Sequence, residues 1–309
     1  MNLLRQGWNW LVDEPRQTRG VRVLQIAIGA MLLFRLFTEG PYAAYLWGPR
    51  GLGSGSMIPL FGNLFGGLLD HLFTTQAGTD AVLLLLGIGA LGLILGYRTR
   101  VATAIALFAF LLLEQRLLDL PDGGDNIARL VLCYMLFLIP SGAKRLRGSL
   151  SVWFHNIAVL AIMLQVAVLY GTAGLAKAFG DLWHHGTAMY YISQVQWFSL
   201  PAMRQMFKNP WITTASSYMA VLYQVWFPIA IISPLRRFWI AIGIFFHLGI
   251  AIFMGLVTFS TVMIGLDLIF ISDGEYARME QTIRRALTLL VARLKNQSQS
   301  HHHRSPQSQ

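Results

Sequence analysis

The stretch that decides the fold is FWIAIGIFFHLGIAIFMGLVTFSTVMIGLDLIFI, residues 238–271. Its only ionisable side chains are His247 and Asp267. A membrane-spanning helix needs about 20 consecutive apolar residues, so this run is long enough for two spans. We place the division at residues 255–259. The pattern therefore predicts an integral membrane protein with two helices here.

The composition of the whole chain agrees with a membrane protein. Of its 309 residues, 55% are hydrophobic and only 12% are charged, whereas about a quarter of the residues of a soluble domain are charged. The net charge of +10 comes from short basic segments between apolar runs. Such segments are typical of cytoplasmic loops, and we expect no nucleic-acid partner. The single cysteine, Cys133, excludes an intrachain disulfide, and we expect no metal site.

Hydrophobic runs along the chain predict an all-α, polytopic transmembrane bundle of about eight spans, within a range of seven to nine. Residues 1–20 form an interfacial segment, 21–272 the transmembrane domain, and 273–309 a cytoplasmic amphipathic helix with a polar tail. The first run shows no signal-peptide cleavage pattern and is interpreted as a retained span. Residues 57–73 suit a short re-entrant or interfacial helix. The predicted spans are 21–38, 80–97, 101–118, 127–140, 151–173, 211–233 and the two halves of 238–271.

The distribution of charge predicts that both termini are cytoplasmic. Most of the 24 Lys and Arg residues fall in the segments that this topology places inside, and the outer loop 119–126 carries aspartates and no base. Basic loops stay on the cytoplasmic side of a membrane. Residues 276–295 form an amphipathic helix that suits an anionic leaflet, with arginines beside an apolar face made of Met279, Ile283, Leu287, Leu290 and Leu294. We therefore expect a multi-pass protein of a bacterial cell membrane, with the lipid bilayer as its partner.

Ionisable groups at membrane depth are costly and are the first candidates for function. Each also has a simpler interpretation. Arg35 and Glu114 lie near outer span ends and can snorkel or pair with each other. His155 suits a hydrogen-bonded bundle residue, and Asp267 can pair with a cytoplasmic arginine. Asp125 and Arg129 can cap the fourth span. The full set is Arg35, Glu114, Arg129, His155, Lys177, His247 and Asp267.

One segment stands apart, namely LYGTAGLAKAFGDLWHHGTAMYYI, residues 169–192. We expect its helix to break at Gly171 and Gly174. It presents Lys177 with no carboxylate at helical spacing before Asp181. A lysine at an apolar mouth is poorly hydrated, which favours the neutral amine and allows it to act as a base. The alternative is that Lys177 is an interfacial anchor.

This segment resembles the signature of the HTTM family, the membrane domain related to vitamin K-dependent gamma-carboxylase. Two further stretches are similar to that family: GGDNIARLVLCYMLFLIP (123–140) and FFHLGIAIFMGLVTF (245–259). The resemblance implies a helical bundle with a pocket open to the non-cytoplasmic side. The matching residues in the first segment are Tyr170, Gly174, Lys177, Trp183, Gly186 and Tyr190.

The resemblance also implies a chemistry. In the carboxylase the matching lysine deprotonates vitamin K hydroquinone, whose oxygenation yields the base that prepares glutamate for carboxylation. Carried over, Lys177 is the catalytic base and His247 a polar group of the pocket, while Tyr170, Trp183 and Glu114 contact a quinone or hydroquinone cofactor. Ile250 departs from the carboxylase, which has asparagine at that position.

Two functions remain open. The first is a quinone-linked or lysine-based modification enzyme at the outer membrane face, which predicts Lys177 in an enclosed pocket near His247 or Glu114. The second is a non-catalytic membrane factor for export or maturation of a partner peptide, since one small bacterial HTTM protein helps to mature an exported toxic peptide. The second predicts an open groove and a solvent-exposed Lys177.

Overall fold

The computed structural model describes residues 2–52, 72–117, 123–140 and 150–302. Nearly all of the segment 57–73 lies outside these ranges. Regular structure within them is entirely helical, in agreement with the predicted all-α class. The helices are α1 (Asn2–Val12), α2 (Thr18–Glu39), α3 (Ala43–Leu46), α4 (Gln76–Leu95), α5 (Thr99–Arg116), α6 (Gly123–Met135), α7 (Leu150–Ala178), α8 (Asp181–His184), α9 (Ala188–Gln194), α10 (Pro201–Met206), α11 (Pro210–Ala230), α12 (Arg236–Met254), α13 (Val257–Leu268) and α14 (Asp273–His302).

Several of these helices can cross a membrane. By length and apolar composition four qualify within the described residues, namely the run Thr18–Leu46, α4, α7 and α12. A fifth is added if α13 and the start of α14, which meet at a bend of 103°, are counted as one broken span. Each predicted span coincides with a helix, but α13 has 12 residues and rises only about 18 Å. It is therefore too short to cross about 30 Å of hydrocarbon alone.

Small residues allow these helices to pack closely. A Cβ atom on Gly89 of α4 would lie 2.7–2.9 Å from Ala106 of α5, and one on Gly29 of α2 would lie 2.7 Å from the carbonyl of Ala90. Gly265 of α13 meets Ala27 in the same way. Interfaces of this kind are typical of membrane bundles, because apolar side chains gain nothing by leaving lipid and van der Waals contact must hold the helices together. The core accordingly centres on α2, α4, α5 and α13.

The expected break at Gly171 and Gly174 is wrong, because α7 continues through both residues to Ala178. Gly174 instead lies against α11, where a Cβ atom would come within 2.6 Å of the Val225 amide nitrogen. A helix inside a bundle keeps its backbone hydrogen bonds, so glycine here serves close approach of two helices rather than a turn. The continuity matters because it places Lys177 two turns beyond Tyr170 on the same helix.

The predicted division of the last apolar run is confirmed. Helix α12 ends at Met254, and Gly255 adopts a φ of +70° in the left-handed region. Glycine reaches this conformation without steric cost. Helix α13 then begins at Val257, so the chain turns back and packs α13 against α12.

The basic turns lie together at one end of the bundle. His155 accepts from the Ile139 amide at 2.9 Å and bonds the Arg16 carbonyl at 2.7 Å, which confirms its interpretation as a hydrogen-bonded bundle residue. At the same end the Arg22 guanidinium bonds the carbonyls of Leu93 and Ile94, which close α4. Arg236, at the start of α12, pairs with Glu275 at 2.7 Å.

The opposite end carries a network of ion pairs that differs from the expected pairs. Arg35 binds Glu39 at 2.7 Å and Asp125 at 2.6 Å rather than Glu114. Glu114 instead lies 3.6 Å from Arg129. The five charges lie on α2, α5 and α6, because helices that are distant in sequence meet here. The sequence alone does not show which of these distant groups will pair.

Candidate functional site

A cavity of about 940 Å³ lies between α6, α7, α12 and α13. It is partly open, and its walls are mostly apolar. All three stretches that carry the family resemblance reach it: Asn126 and Tyr134 come from 123–140, Lys177 from 169–192, and His247 from 245–259. These stretches are remote in sequence, and the fold brings them together around this cavity.

Three polar side chains form a buried cluster at the wall of this cavity. The Tyr170 hydroxyl lies 2.7 Å from Nε2 of His247 and 3.0 and 3.1 Å from the two carboxyl oxygens of Asp267. The exposed fractions are 0% for Tyr170, 1% for His247 and 0% for Asp267. Hydrogen bonds between buried groups of this kind are needed because each unpaired polar group in an apolar interior is costly.

One arrangement of protons satisfies all three contacts. In it the Tyr170 hydroxyl donates to Asp267. His247 then carries its proton on Nε2, which donates to the Tyr170 oxygen, and Nδ1 is left as an acceptor. Nδ1 is buried and has no hydrogen-bond partner among the described residues.

Two glutamines add to the polar character of the wall. Gln165 and Gln224 both line the cavity, and the side-chain oxygen of each is buried without a hydrogen-bond partner in the described part of the chain. Together with Nδ1 of His247, they offer three acceptors to a guest that carries hydroxyl or N–H donors. The rest of the lining suits an apolar body.

Behind the cluster, Tyr223 and Gly243 hold Asp267 in place. A Cβ atom on Gly243 would overlap both the Tyr223 hydroxyl and Oδ2 of Asp267, so both oxygens sit over the bare backbone of α12. The ring of Phe227 packs on Tyr170 with centroids 4.0 Å apart, and the Tyr223 ring meets Tyr170 edge-on at 5.4 Å. This packing fixes the direction of the Tyr170 hydroxyl.

Lys177 lines the same cavity. It follows Tyr170 by seven residues on α7, about 10 Å along the helix axis. Its Nζ lies 5.4 Å from the ring centroid of Trp183 and 3.4 Å from the Ala173 carbonyl. The described residues provide no ion-pair partner for it. The Lys177 amine is thus half-buried between an aromatic face and an apolar chamber.

The structure brings together four of the five predicted site residues. Lys177, His247, Tyr170 and Trp183 all line the cavity. Glu114 is not among the lining residues. Its Arg129 partner donates to Asn126 at 2.8 Å, and Asn126 lies on the wall. Glu114 is therefore connected to the rim only through this short chain of side chains.

Sequence reasoning did not assign Asp267, Gln165 and Gln224 to the site. Asp267 was interpreted as a partner of a cytoplasmic arginine, which is wrong, because it receives the Tyr170 hydroxyl instead. The signal available was its position in the longest apolar run, where a carboxyl group needs a partner. Nothing in the sequence joins it to Tyr170, which is 97 residues away.

A second cavity of about 470 Å³ adjoins the first, and its lining includes five methionines and four phenylalanines. The two cavities share part of their walls, including Phe246, Ile250 and Met254. Methionine adapts its shape to irregular apolar guests. In the described residues, no group of three or more His, Cys, Asp or Glu side chains is placed to hold a metal ion.

Comparison with known proteins finds two relatives in Bacillus subtilis (strain 168). The chain is 26% identical over 214 residues to the uncharacterized protein YitO, which covers 63% of this chain and 67% of YitO. It is 24% identical over 167 residues to the sporulation-delaying protein SdpB, which covers 48% of this chain and 51% of SdpB. The chain thus matches about half the length of SdpB. No family model matches the sequence, and no solved structure matches it.

Proposed function

We propose that this chain is an HTTM-type membrane protein whose cavity binds a lipophilic small molecule of the quinone class, with Lys177 as the base. The observation that carries this proposal is the cavity that joins Lys177 and Trp183 to the Tyr170–His247–Asp267 cluster. The polar arrangement matches the first of the two predicted functions, a modification enzyme at the outer membrane face. The apolar helices of the chain support the assignment to a bacterial cell membrane.

The residues present fit a hydroquinone. The buried acceptors of Gln165, Gln224 and His247 suit its hydroxyl groups, and the apolar walls suit its ring and substituents. When bound, a hydroquinone supplies reducing electrons and an acidic hydroxyl. The acceptor Nδ1 of His247 is held in place because Tyr170 and Asp267 orient the opposite side of its ring.

Lys177 is the group that moves a proton in this proposal. Its poor hydration between Trp183 and the apolar chamber favours the neutral amine, which can accept a proton at Nζ. The Trp183 ring then stabilises the ammonium form by a cation–π contact. The apolar walls limit the hydration of the amine and so favour its neutral form.

The proposed orientation follows the charge distribution. Eight membrane passes with both termini in the cytoplasm place the end that carries Lys177 outside. Helices α6 and α13 reach this arrangement only as short passes within the bundle, since they have 13 and 12 residues. The basic turns at the opposite end support the cytoplasmic assignment of that end.

A second candidate is a non-catalytic membrane factor that assists export or maturation of a partner peptide. Two observations favour it: the cavity is partly open, and the chain is similar to a protein named for delaying sporulation. In that case the apolar groove holds a segment of the partner rather than a small molecule.

One experiment separates the two candidates. The full-length protein is purified in detergent, and co-purifying lipophilic molecules are extracted and identified by mass spectrometry. Ala173→Leu fills the cavity wall, while Ala176→Leu makes the same change on the exposed face of the same helix. We expect a quinone in the wild type and in Ala176→Leu, and its loss in Ala173→Leu. Equal quinone content in all three proteins, or none in any, would reject the proposal.

A further inference from the structure

A separate groove of about 520 Å³ lies between the start of α2 and helix α14, and it shares no lining residue with the Lys177 cavity. Its charged lining consists of Arg19, Arg22 and Arg284 with one acidic residue, Glu280. Its apolar lining comes from both helices, including Val23 and Ile283. The groove therefore combines excess positive charge with a hydrophobic wall.

The single acidic residue of the groove does not neutralise all three of its arginines. Glu280 is shared between Arg19 at 3.0 Å and Arg284 at 2.6 Å. One carboxylate thus pairs with two guanidinium groups, while the hydrogen bonds of Arg22 within the described residues go to neutral oxygens, those of the Leu93 and Ile94 carbonyls and of the Gln25 side chain. The nearby Asp273 receives the backbone amides of Thr18 and Arg19 and is not part of the lining.

The setting of α14 places this groove at a membrane surface. Helices α13 and α14 meet at 103°, so α14 runs along the bundle end rather than through it. Its Met279, Ile283 and Leu287 side chains are about half exposed, at 49%, 58% and 55%. An amphipathic helix with this stripe lies at the interface with its apolar face toward the acyl chains.

We infer that the groove binds the headgroup of an anionic phospholipid. Arg19 and Arg284 contact the phosphodiester, because a guanidinium matches phosphate oxygens in geometry and charge. Val23, Met279 and Ile283 cover the start of the acyl chains. Basic pockets between membrane helices are a recurring form of lipid headgroup site. This inference does not depend on the proposed function.

The test compares two matched double variants of the full-length protein in detergent. Arg19→Gln/Arg284→Gln removes two charges from the groove. Arg278→Gln/Arg285→Gln removes the same charge from the opposite face of α14, since residues on a helix are offset by about 100° each. Binding of phosphatidylglycerol and of phosphatidylcholine is measured by native mass spectrometry, with thermal unfolding as the check on the fold.

We expect the groove variant to bind phosphatidylglycerol about 30-fold more weakly, which is about 2 kcal/mol at about 1 kcal/mol per basic residue. The control variant and all binding of phosphatidylcholine stay unchanged. Arg19→Lys/Arg284→Lys keeps the charge and retains most of the binding, which guards against a failure to fold. Equal losses in both glutamine variants, or no loss in either, would overturn the site. Full displacement by inorganic phosphate would reassign it to free anions and overturn the lipid assignment.

Discussion

The hydroxyl of Tyr170 is the atom on which the site depends at the scale of single residues. It contacts both His247 and Asp267, and it is completely buried. Lys177 and His247 were predicted from their setting in apolar helices and from a family resemblance, and Tyr170 from the resemblance alone. Asp267 could not be placed, because a sequence does not show which distant helix a buried carboxyl group will meet. The position of Glu114 outside the cavity lining could not be predicted from the sequence either.

The variants Lys177→Arg and Lys177→Ala should fold normally but lose the proposed enzymatic activity. An arginine stays protonated and cannot act as a base, while removal of a costly charge need not harm a buried site. We expect unchanged thermal unfolding and quinone content, with hydroquinone-dependent oxygen uptake lowered about 10²- to 10⁴-fold. Full uptake in both variants would support the membrane-factor alternative. Failure of both to insert would mean that Lys177 is structural.

Gly243→Ala should destabilise the protein, because the added methyl group overlaps the Tyr223 hydroxyl and Asp267. Overpacking of this kind costs about 1–3 kcal/mol. Gly249→Ala on the same helix is the control, since a Cβ there meets nothing within 4 Å. It should be neutral or stabilising by up to about 1 kcal/mol from helix propensity. Thermal unfolding in detergent measures both, and equal midpoints for the two variants would contradict the packing described for Gly243.

At the scale of elements, the apolar runs predicted the helices well. The predicted break at 255–259 is confirmed, because Gly255 adopts a φ of +70° and the helix ends there. The predicted break at Gly171 and Gly174 is wrong because tertiary packing against α11 holds that helix straight. Glycine in a sequence signals either a turn or a close contact. Only the neighbouring helix decides between them.

The buried carboxylate of Glu275 joins α14 to α12, and its titration should change the stability of the protein. Burial opposes ionisation of Glu275, but hydrogen bonds from Ser272 and Arg236 outweigh it and lower its pKa from 4.5 to about 2. A lowered pKa stabilises the fold fully above about pH 4.5, and the gain is lost as pH falls toward 2.

Glu275→Gln isolates this contribution. Thermal unfolding of wild type and variant is compared from pH 7 downward in detergent. The wild type should be more stable at pH 7, and the difference between the two midpoints should shrink below about pH 4.5. A difference that stays constant down to pH 2 would show that Glu275 does not stabilise the fold as an ion.

At the scale of the whole molecule, the sequence predicted the class but not the arrangement. Hydrophobic length is a local property, so the all-helical membrane fold followed from it. The meeting of α6, α7, α12 and α13 around one cavity depends on packing between distant helices. The resemblance identified the three stretches involved, and in the structure all three line the same cavity.

Topology is the first prediction at this scale. Reporter fusions at Lys144 and Arg237 should report a cytoplasmic position, and fusions near Asp122 and Asn209 an external one, because basic turns remain inside. Lys144 and Asp122 lie outside the described residues, whereas Arg237 is the second residue of α12 and Asn209 caps the start of α11. An external position for Lys144 would overturn the whole assignment.

The central claim is that Lys177 lies at the mouth of a lipophile-binding cavity on the outer side of the membrane. Its most direct test is cysteine accessibility in a Cys133→Ala background, which removes the single native thiol. Lys177→Cys and, as a control, Ala176→Cys are treated in intact cells with a membrane-impermeant maleimide, with and without a short-chain quinone. The account predicts that both positions are labelled from outside and that quinone protects only position 177. Labelling of position 177 only after the cells are opened, or equal labelling with and without quinone, would contradict it.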